Sequence, residues 1–385
     1  MERVLLNDVG EITKLAGFEF TKYMEYIPYG DIIAIRALNL KDGRLKLDDV
    51  KRISSDVSEK LPRSQLHIHD IVLSYTGTLG ECAQIKEEGR YHLAPNVAKI
   101  TPRDNIDPDY LFQIIRSSHF RQEIKNYAHG STQPTIPMKA LRELPIDVLP
   151  IEQQHVVAAI LGKLDEKIVE NELINKNLQT QAQSIYTHMI IDKAEESCGN
   201  GVLSDIATIT MGQSPKGDTY NEGGTGTVFF QGRAEFGFRF PTRRLYTTDP
   251  KRMAQANDVL MSVRAPVGDL NVAYEDCCIG RGLGAIHSKD NHQSFVLYTM
   301  FALRDQLDVF NGEGTVFGSI NRDALKSMPV IIPSREVVDK FENIVSPMDA
   351  EIRNNYVEIC HLQAIRDSLL PRLMSGELDV SDVDL

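Results

Sequence analysis

No stretch of the 385 residues is apolar over the roughly 18 to 20 positions that a membrane-spanning helix requires. The opening MERVLLNDVG also lacks the basic-then-apolar layout of a secretory signal, so a cytoplasmic protein without a membrane partner is expected. Cysteine is sparse: Cys82, Cys198, Cys277, Cys278 and Cys360 form no C-x-x-C spacing, and the adjacent Cys277 and Cys278 cannot share a tetrahedral metal or bridge each other without strain. They read as reduced, structural thiols, and no metal site is expected. There is no G-x-x-x-x-G-K-[ST] loop, no H-E-x-x-H and no G-x-S-x-G elbow. GRGLGA (Gly280 to Ala285) lacks the G-x-G-x-x-G spacing of a dinucleotide turn, so no cofactor is expected. The Asn-Pro-Pro-aromatic and Asp-Pro-Pro-aromatic tetrapeptides of amino-methyltransferases are missing too, and Asp48-Asp49 and Glu87-Glu88 read as solvated surface. A non-catalytic chain is the expectation, with a nuclease of divergent site as a remote rival.

Hydrophobic residues make up 42% and charged residues 25%, the mix of an ordinary globular protein long enough for two or three domains. The net charge of −12 is unevenly placed. Residues 1–150 hold 20 basic and 21 acidic side chains and residues 201–333 hold 13 and 14, against 4 and 8 in 151–200 and 5 and 11 in 334–385. The acidity therefore lies mostly outside the two large blocks, which remain able to present local basic faces.

An internal repeat organises the chain. Gly130 to Ile190 aligns with Gly314 to Met374 at a constant offset of 184, with 13 of 61 positions identical, among them Pro145/Pro329, Asp165/Asp349, Ile168/Ile352, Asn171/Asn355 and Leu178/Leu362. Upstream, DIVLSYTGTLG (Asp70 to Gly80) lies opposite DVLMSVRAPVG (Asp258 to Gly268), and LLND (Leu5 to Asp8) opposite VLSD (Val202 to Asp205). A unit of about 185 residues is far too long for a solenoid repeat, so each copy is a domain with an appended element.

The appended element is a heptad seam. Alternate steps of four and three give Val157, Leu161, Leu164, Ile168, Asn171, Asn175, Leu178, Ala182, Ile185 and Met189, and in the second copy Phe341, Val345, Met348, Ile352, Asn355, Ile359, Leu362, Arg366, Leu369 and Leu373. Four successive heptads predict a coiled coil, and antiparallel packing would return the chain's end toward its start. Pro347 suits a helix start better than an interior, which predicts a short helix followed by a long one, with Gly162 marking the same break in the first copy. Asn171 and Asn355 either bond to each other and set register or face water at the seam's edge.

Each globular unit reads as short strands separated by Gly, Pro and Asn, with helical patterns late in the unit at 108–126 and 294–310. The fold class is α+β. The first of those helices would bury Tyr110, Leu111, Ile114, Ile115 and Phe120 and leave Arg116, Arg121 and Lys125 for solvent or phosphate. Expected boundaries are 1–150 and 193–333 for the domains, 151–192 for the central helix and 334–385 for the C-terminal helix and tail.

Reading DNA needs cations for phosphates and Arg, Asn, Gln, Ser or Thr near base edges, on loops or strand ends able to enter a groove. The second unit supplies MGQSPKG with Ser214 and Lys216, FFQGRAEFG with Gln231 and Arg233, RFPTRR with Arg243 and Arg244, then Lys251, Arg252, Arg264 and Arg281. The first supplies Arg36, Lys51, Arg52, Arg63, Ser74 and Thr76, together with the loop HGSTQPTIP (His129 to Pro137), whose copy is GEGTVFGSI (Gly312 to Ile320). Because that loop leads into the helix in both copies, it could equally serve the domain–helix joint.

The two-unit layout, GQSP followed by FFQG, DVLMSVRAPVG, GRGLGAI, PIDVLPIEQQHVVAAILGKLD and the ending LQAIRDSLLPRLMSGEL together resemble the specificity subunit of Type I restriction-modification systems, over essentially the whole chain. The second copy departs from this pattern at its helix entry, IIPSREVV, which lacks the Glu-Gln pair. The resemblance implies two target-recognition domains in tandem, separated by two long helices in an antiparallel coiled coil. Each domain would read one half of an interrupted site in double-stranded DNA. The helices would dock two methylating modification subunits, and restriction subunits would join the full complex. Rival readings are the recognition subunit of a related fused methylase-nuclease system, and a protein–protein scaffold with two modules that do not bind DNA.

Overall fold

The computed structural model describes residues 1–130, 132–193, 198–312, 318–375, 377, 378 and 380. Two compact units emerge, Met1–Val169 with Ile359–Leu385, and Glu170–Glu358.

In the first unit an antiparallel sheet orders strands Gly10–Lys14, Val97–Pro102, Ile71–Ser74 and Cys82–Gln84. A second sheet orders Lys51–Ile53, Ile32–Ile35, Tyr91–Leu93 and Gln65–Leu66, with a parallel pair at its centre, Ile35 opposite Leu93. The second unit repeats the plan. Its four-stranded sheet runs Ala207–Met211, Leu283–Ser288, Val259–Ser262, Leu270–Val272, and its other sheet pairs Thr227–Phe230 in parallel with Cys277–Ile279, Phe230 opposite Ile279. The strands Ile71–Ser74 and Val259–Ser262 are buried at every position, which is why they read as continuous apolar runs rather than as alternating ones.

The matching sequence fragments hold matching turns. Asp70 Oδ2 accepts from the His67 N–H at 2.8 Å, and Asp258 Oδ2 accepts from the Gln255 N–H at 2.8 Å, so one carboxylate in each copy closes the turn that launches the central strand. Asp8 and Asp205 accept in the same way from the Leu5 and Val202 N–H groups, at 2.9 and 2.8 Å, at the starts of the short helices Leu6–Val9 and Leu203–Ile206. Leu5 then pairs with Pro145, and Val202 with Pro329, in the two-stranded ribbon that leads each unit into its long helix.

Those helices are Ile151–Tyr186, of 36 residues, and Arg335–Met374, of 40 residues. None of the twenty seam positions is exposed. Within the first unit Leu161 is fully buried in one core with Leu370 and Leu373, and Arg366 donates to Asp165 at 2.9 Å. Within the second, Asn171 donates to Glu358 at 2.9 Å, Asn355 to Asn175 at 2.9 Å, and Tyr186 meets Phe341 edge-on at 5.6 Å between centroids. Partner numbers fall as residue numbers rise, so the helices run antiparallel. Two expectations are corrected here. Both helices are continuous, through Gly162 and through Pro347: with Val345 fully buried and Met348 packed against the same core on either side of the proline, helix packing outweighs the one backbone bond that Pro347 cannot make. The two asparagines are buried, but neither bonds the other nor faces water; in antiparallel register each meets a different residue, Glu358 or Asn175.

The helical stretch 108–126 is two helices, Pro108–Arg116 and Ser118–Asn126, because the Ser117 side chain accepts from the Phe120 N–H and starts a new one. Tyr110, Leu111, Ile114, Ile115 and Phe120 are buried. Arg116 and Arg121 are not left for solvent: they pair with Asp165 at 2.5 Å and Glu81 at 3.1 Å, while Lys125 is exposed. In the second unit the late helical pattern is likewise divided, into Gln293–Ala302 and Arg304–Asp308.

Candidate nucleic-acid interface

In the second unit the parallel pair ends with two short loops lying against each other. The Gly280 N–H donates to the Phe230 carbonyl at 2.8 Å, and the Gly282 N–H to the Gln231 carbonyl at 3.3 Å. No side chain fits at these glycines: a Cβ on Gly280 would stand 2.8 Å from the Gln231 oxygen, and one on Gly212 would stand 2.1 Å from the Gly280 oxygen. A third segment, Gly212 to Lys216, closes on the same place, since the Gln213 N–H donates to the Ile279 carbonyl at 3.0 Å. Three segments distant in sequence are thus brought together with Ser214, Lys216, Gln231 and Arg281. Arg281 is exposed, and Ser214 Oγ accepts both its backbone N–H, at 3.2 Å, and its Nε, at 3.4 Å. Lys216 and Gln231 are exposed as well.

The other candidates of this unit are placed differently. Arg233 pairs with Asp269, Arg243 with Glu275 at 2.5 Å while lying over Tyr274, and Arg244 with Glu235 at 2.6 Å, so part of their charge is neutralised within the protein. Lys251 pairs with Asp249 at 2.6 Å. Arg264 is exposed beside Ser319, with which its backbone forms an isolated bridge, and has no carboxylate partner among the described residues.

In the first unit the corresponding strand ends carry other chemistry. The Ala94 N–H donates to the Ile35 carbonyl at 3.1 Å, the counterpart of the Gly280 bond, so Arg36 stands where Gln231 does and Pro95 where Arg281 does. Arg36 is tied to Asp49, by 3.3 Å to its carboxylate and 2.8 Å to its carbonyl. Arg52 donates to the Gly30 carbonyl at 3.2 Å. Lys51 and Arg63 are exposed, with no carboxylate partner among the described residues, and Arg63 lines a cleft with His67, His69, Lys99 and Arg103. Ser74 is fully buried, its hydroxyl donating to the Thr76 carbonyl at 3.1 Å, while Thr76 accepts from the Thr135 hydroxyl at 3.2 Å. Ser131 and residues 313–317 of the paired loops lie outside the described residues.

Among the described residues no cluster of His, Cys, Asp or Glu suits a metal, and no helix is long and apolar enough to cross a membrane. Cys82, Cys277 and Cys278 are buried and unpaired; burial pushes the Cys82 and Cys277 thiols up to about 12. The site's chemistry is hydrogen bonding and charge.

The family model described as the Type I restriction modification DNA specificity domain matches residues 1–179 and again 199–356. The chain belongs to that family. A relative from Methanocaldococcus jannaschii, named the putative type I restriction enzyme MjaX specificity subunit, is 29% identical over 90% of this chain and 87% of its own. A second from the same organism, the MjaIX specificity subunit, is 22% identical over 74% and 72%. The crystal structure of a Type-I restriction-modification system S subunit from M. genitalium shares the fold, with a TM-score of 0.57, 15% identity and coverage of 97% of this chain and 95% of that one.

Within this specificity-domain chain, the identical pair Asp165/Asp349 joins each unit's sheet-bearing part to its two helices. Asp165 accepts from Gln113 at 2.9 Å, Arg116 at 2.5 Å and Arg366 at 2.9 Å. Burial alone would push its carboxyl up, but Arg116, Gln113 and Arg366 outweigh that and hold it below the usual range. Asp349 accepts from Arg239 at 2.8 Å and from the Tyr298 hydroxyl at 2.9 Å, and Arg239 reaches Gln179 at 3.1 Å. Arg239 opens the basic run RFPTRR, yet it is 4% exposed and holds the domain to its helices rather than facing a ligand. Sequence reading missed Gln113 and Tyr298 and counted Arg239 within the DNA-facing run; the one available signal for the joint was the repeat identity of the two aspartates.

Proposed function

We propose that the chain is the recognition subunit of a Type I restriction-modification complex. Two target-recognition domains, over 1–150 and 193–333, would each read one half of an interrupted duplex site, and the helices 151–192 and 334–385 would dock two modification subunits. Methylation of adenine, and cleavage where restriction subunits join, would then be the work of those partners, with no cofactor on this chain. The observation that carries the reading is the doubled scaffold with unlike ends: equivalent backbone bonds at Gly280 and Ala94, but Gln231 and Arg281 in one copy against Arg36 and Pro95 in the other. Equivalent parallel strand pairs with different side chains at their ends suit two readers of different half-sites. Within the unpartnered set, Lys51, Arg63, Lys216, Gln231, Arg264 and Arg281 are the proposed DNA contacts.

The test is methylation-sensitive sequencing of host DNA after co-expression with the methyltransferase subunit, repeated with residues 1–150 exchanged for those of a relative. A bipartite modified motif with one half changed is the expected result. No motif, or a change in both halves, overturns the reading and favours a scaffold.

A further inference from the structure

Arg281 differs from Arg233, Arg243 and Arg244 in what is left over after its internal bonds are counted, and from Arg264, equally without a carboxylate partner among the described residues, in having its Nε held by a neighbouring side chain. A guanidinium carries five N–H donors in a planar fork. In Arg281 the Nε donor is directed to Ser214 Oγ at 3.4 Å, and the same oxygen takes the backbone N–H at 3.2 Å. The four Nη donors have no partner among the described residues, and no carboxylate neutralises the charge, whereas Arg233, Arg243 and Arg244 are each paired with one. The base of the side chain is also fixed. Gly280 and Gly282 press against the Gln231 carbonyl so closely that a Cβ at either would come within 2.8 or 2.9 Å of its oxygen. The result is an exposed, pre-aimed fork at a strand end, oriented through its Nε.

We propose, resting on the reading of the chain as a DNA-recognition subunit, that Arg281 is the guanine-reading residue of the second domain, that Ser214 positions it, and that the first domain has no counterpart. The two Nη groups match the O6 and N7 acceptors that guanine presents in the major groove, a bidentate fit that neither a single-point ammonium nor a side chain already committed to a carboxylate provides. At the equivalent place in the first domain stands Pro95, which has no donor, and the neighbouring Arg36 is bound to Asp49 at 3.3 Å. A guanine requirement read in this way therefore falls in one half-site only.

The experiment is selection from randomised duplex DNA by the full chain co-expressed with its methyltransferase subunit, comparing the wild type with Arg281→Ala, Arg281→Gln and Ser214→Ala. The domain exchange already described assigns each half-site to its reader. The expected wild-type motif has a guanine in the second domain's half, preferred there by about tenfold or more. Arg281→Ala and Arg281→Gln should both abolish that preference at one position and leave the other positions and the other half intact. Ser214→Ala, which keeps the guanidinium and frees its Nε, should weaken the preference severalfold with little change in overall affinity. A uniform loss across all sequences, with a salt slope shallower by about one, would make Arg281 a phosphate contact and overturn the proposal. An unchanged guanine position in the variants would overturn it too. If the wild type selects no motif at all, the reading of the whole chain fails and this inference with it.

Discussion

Replacing Asp165 by Ala should be among the most damaging single changes in the first unit. The carboxylate is one-fifth exposed and accepts from three side chains, Gln113, Arg116 and Arg366, of which the two arginines are 12% and 16% exposed. Removing it strands the largely buried Arg116 guanidinium, while Arg366 keeps its bonds to Asp367 at 2.8 and 2.9 Å; breaking a buried pair such as Arg116–Asp165 from one side costs about 3–5 kcal/mol. Residual exposure lets water reach part of the site, so about 3 kcal/mol is the appropriate figure. Asp165→Asn keeps one acceptor oxygen and the side-chain volume but removes the charge, and should cost about half as much. Because the folded carboxyl titrates below its unfolded value of about 3.9, its contribution is present at pH 5 and above and is lost as the pH falls through the folded pKa. The assay is native-state hydrogen exchange of the amides in 151–169 at several urea concentrations, at pH 7 and again at pH 3. The wild-type advantage over Asp165→Ala should be near 3 kcal/mol at pH 7 and smaller at pH 3. A difference below about 0.5 kcal/mol at pH 7 would refute the idea that this carboxylate clasps the domain to the helices.

Three other outcomes follow from the same geometry. Asn355→Leu alone strands the buried Asn175 amide and should lower stability by about 1–3 kcal/mol, whereas Asn175→Leu combined with Asn355→Leu should recover most of the loss in urea unfolding; a double variant worse than the sum of the singles would contradict this. Gly212→Ala forces a methyl to 2.1 Å from the Gly280 oxygen, so the junction of the three loops must open; the expected loss is roughly 1–3 kcal/mol by thermal denaturation, together with weaker DNA binding. With Cys82 and Cys277 buried and their thiols pushed up to about 12, iodoacetamide followed by peptide mass mapping should label the exposed Cys360 at pH 8 and leave Cys82, Cys277 and Cys278 unmodified until the chain unfolds.

The repeat, the α+β class and the paired helices are legible in the residues because each is written locally. Heptad spacing survives in the order Val157, Leu161, Leu164, Ile168, and the turn-closing Asp70 and Asp258 sit at the same place in the same short motif. What reads from sequence as a pool of interchangeable cations separates only once the chain is folded. Arg239, Arg243 and Arg244 lie within six residues, yet the first is buried on Asp349, the second covers Tyr274 beside Glu275, and the third is held by Glu235. Partner choice depends on contacts between residues distant in the chain, which no local pattern encodes. The same holds for Pro347, whose local cost to a helix is real but smaller than the packing of Val345 and Met348 on either side, and for Asn171 and Asn355, whose partners were set by antiparallel register. Sequence by itself determined the duplicated architecture, because periodicity and repetition are properties of one strand of chain. The tertiary structure alone decided which charges are neutralised inside the protein and which, like that of Arg281, are left exposed without a carboxylate partner among the described residues, because that depends on which distant carboxylate the fold brings within about 4 Å.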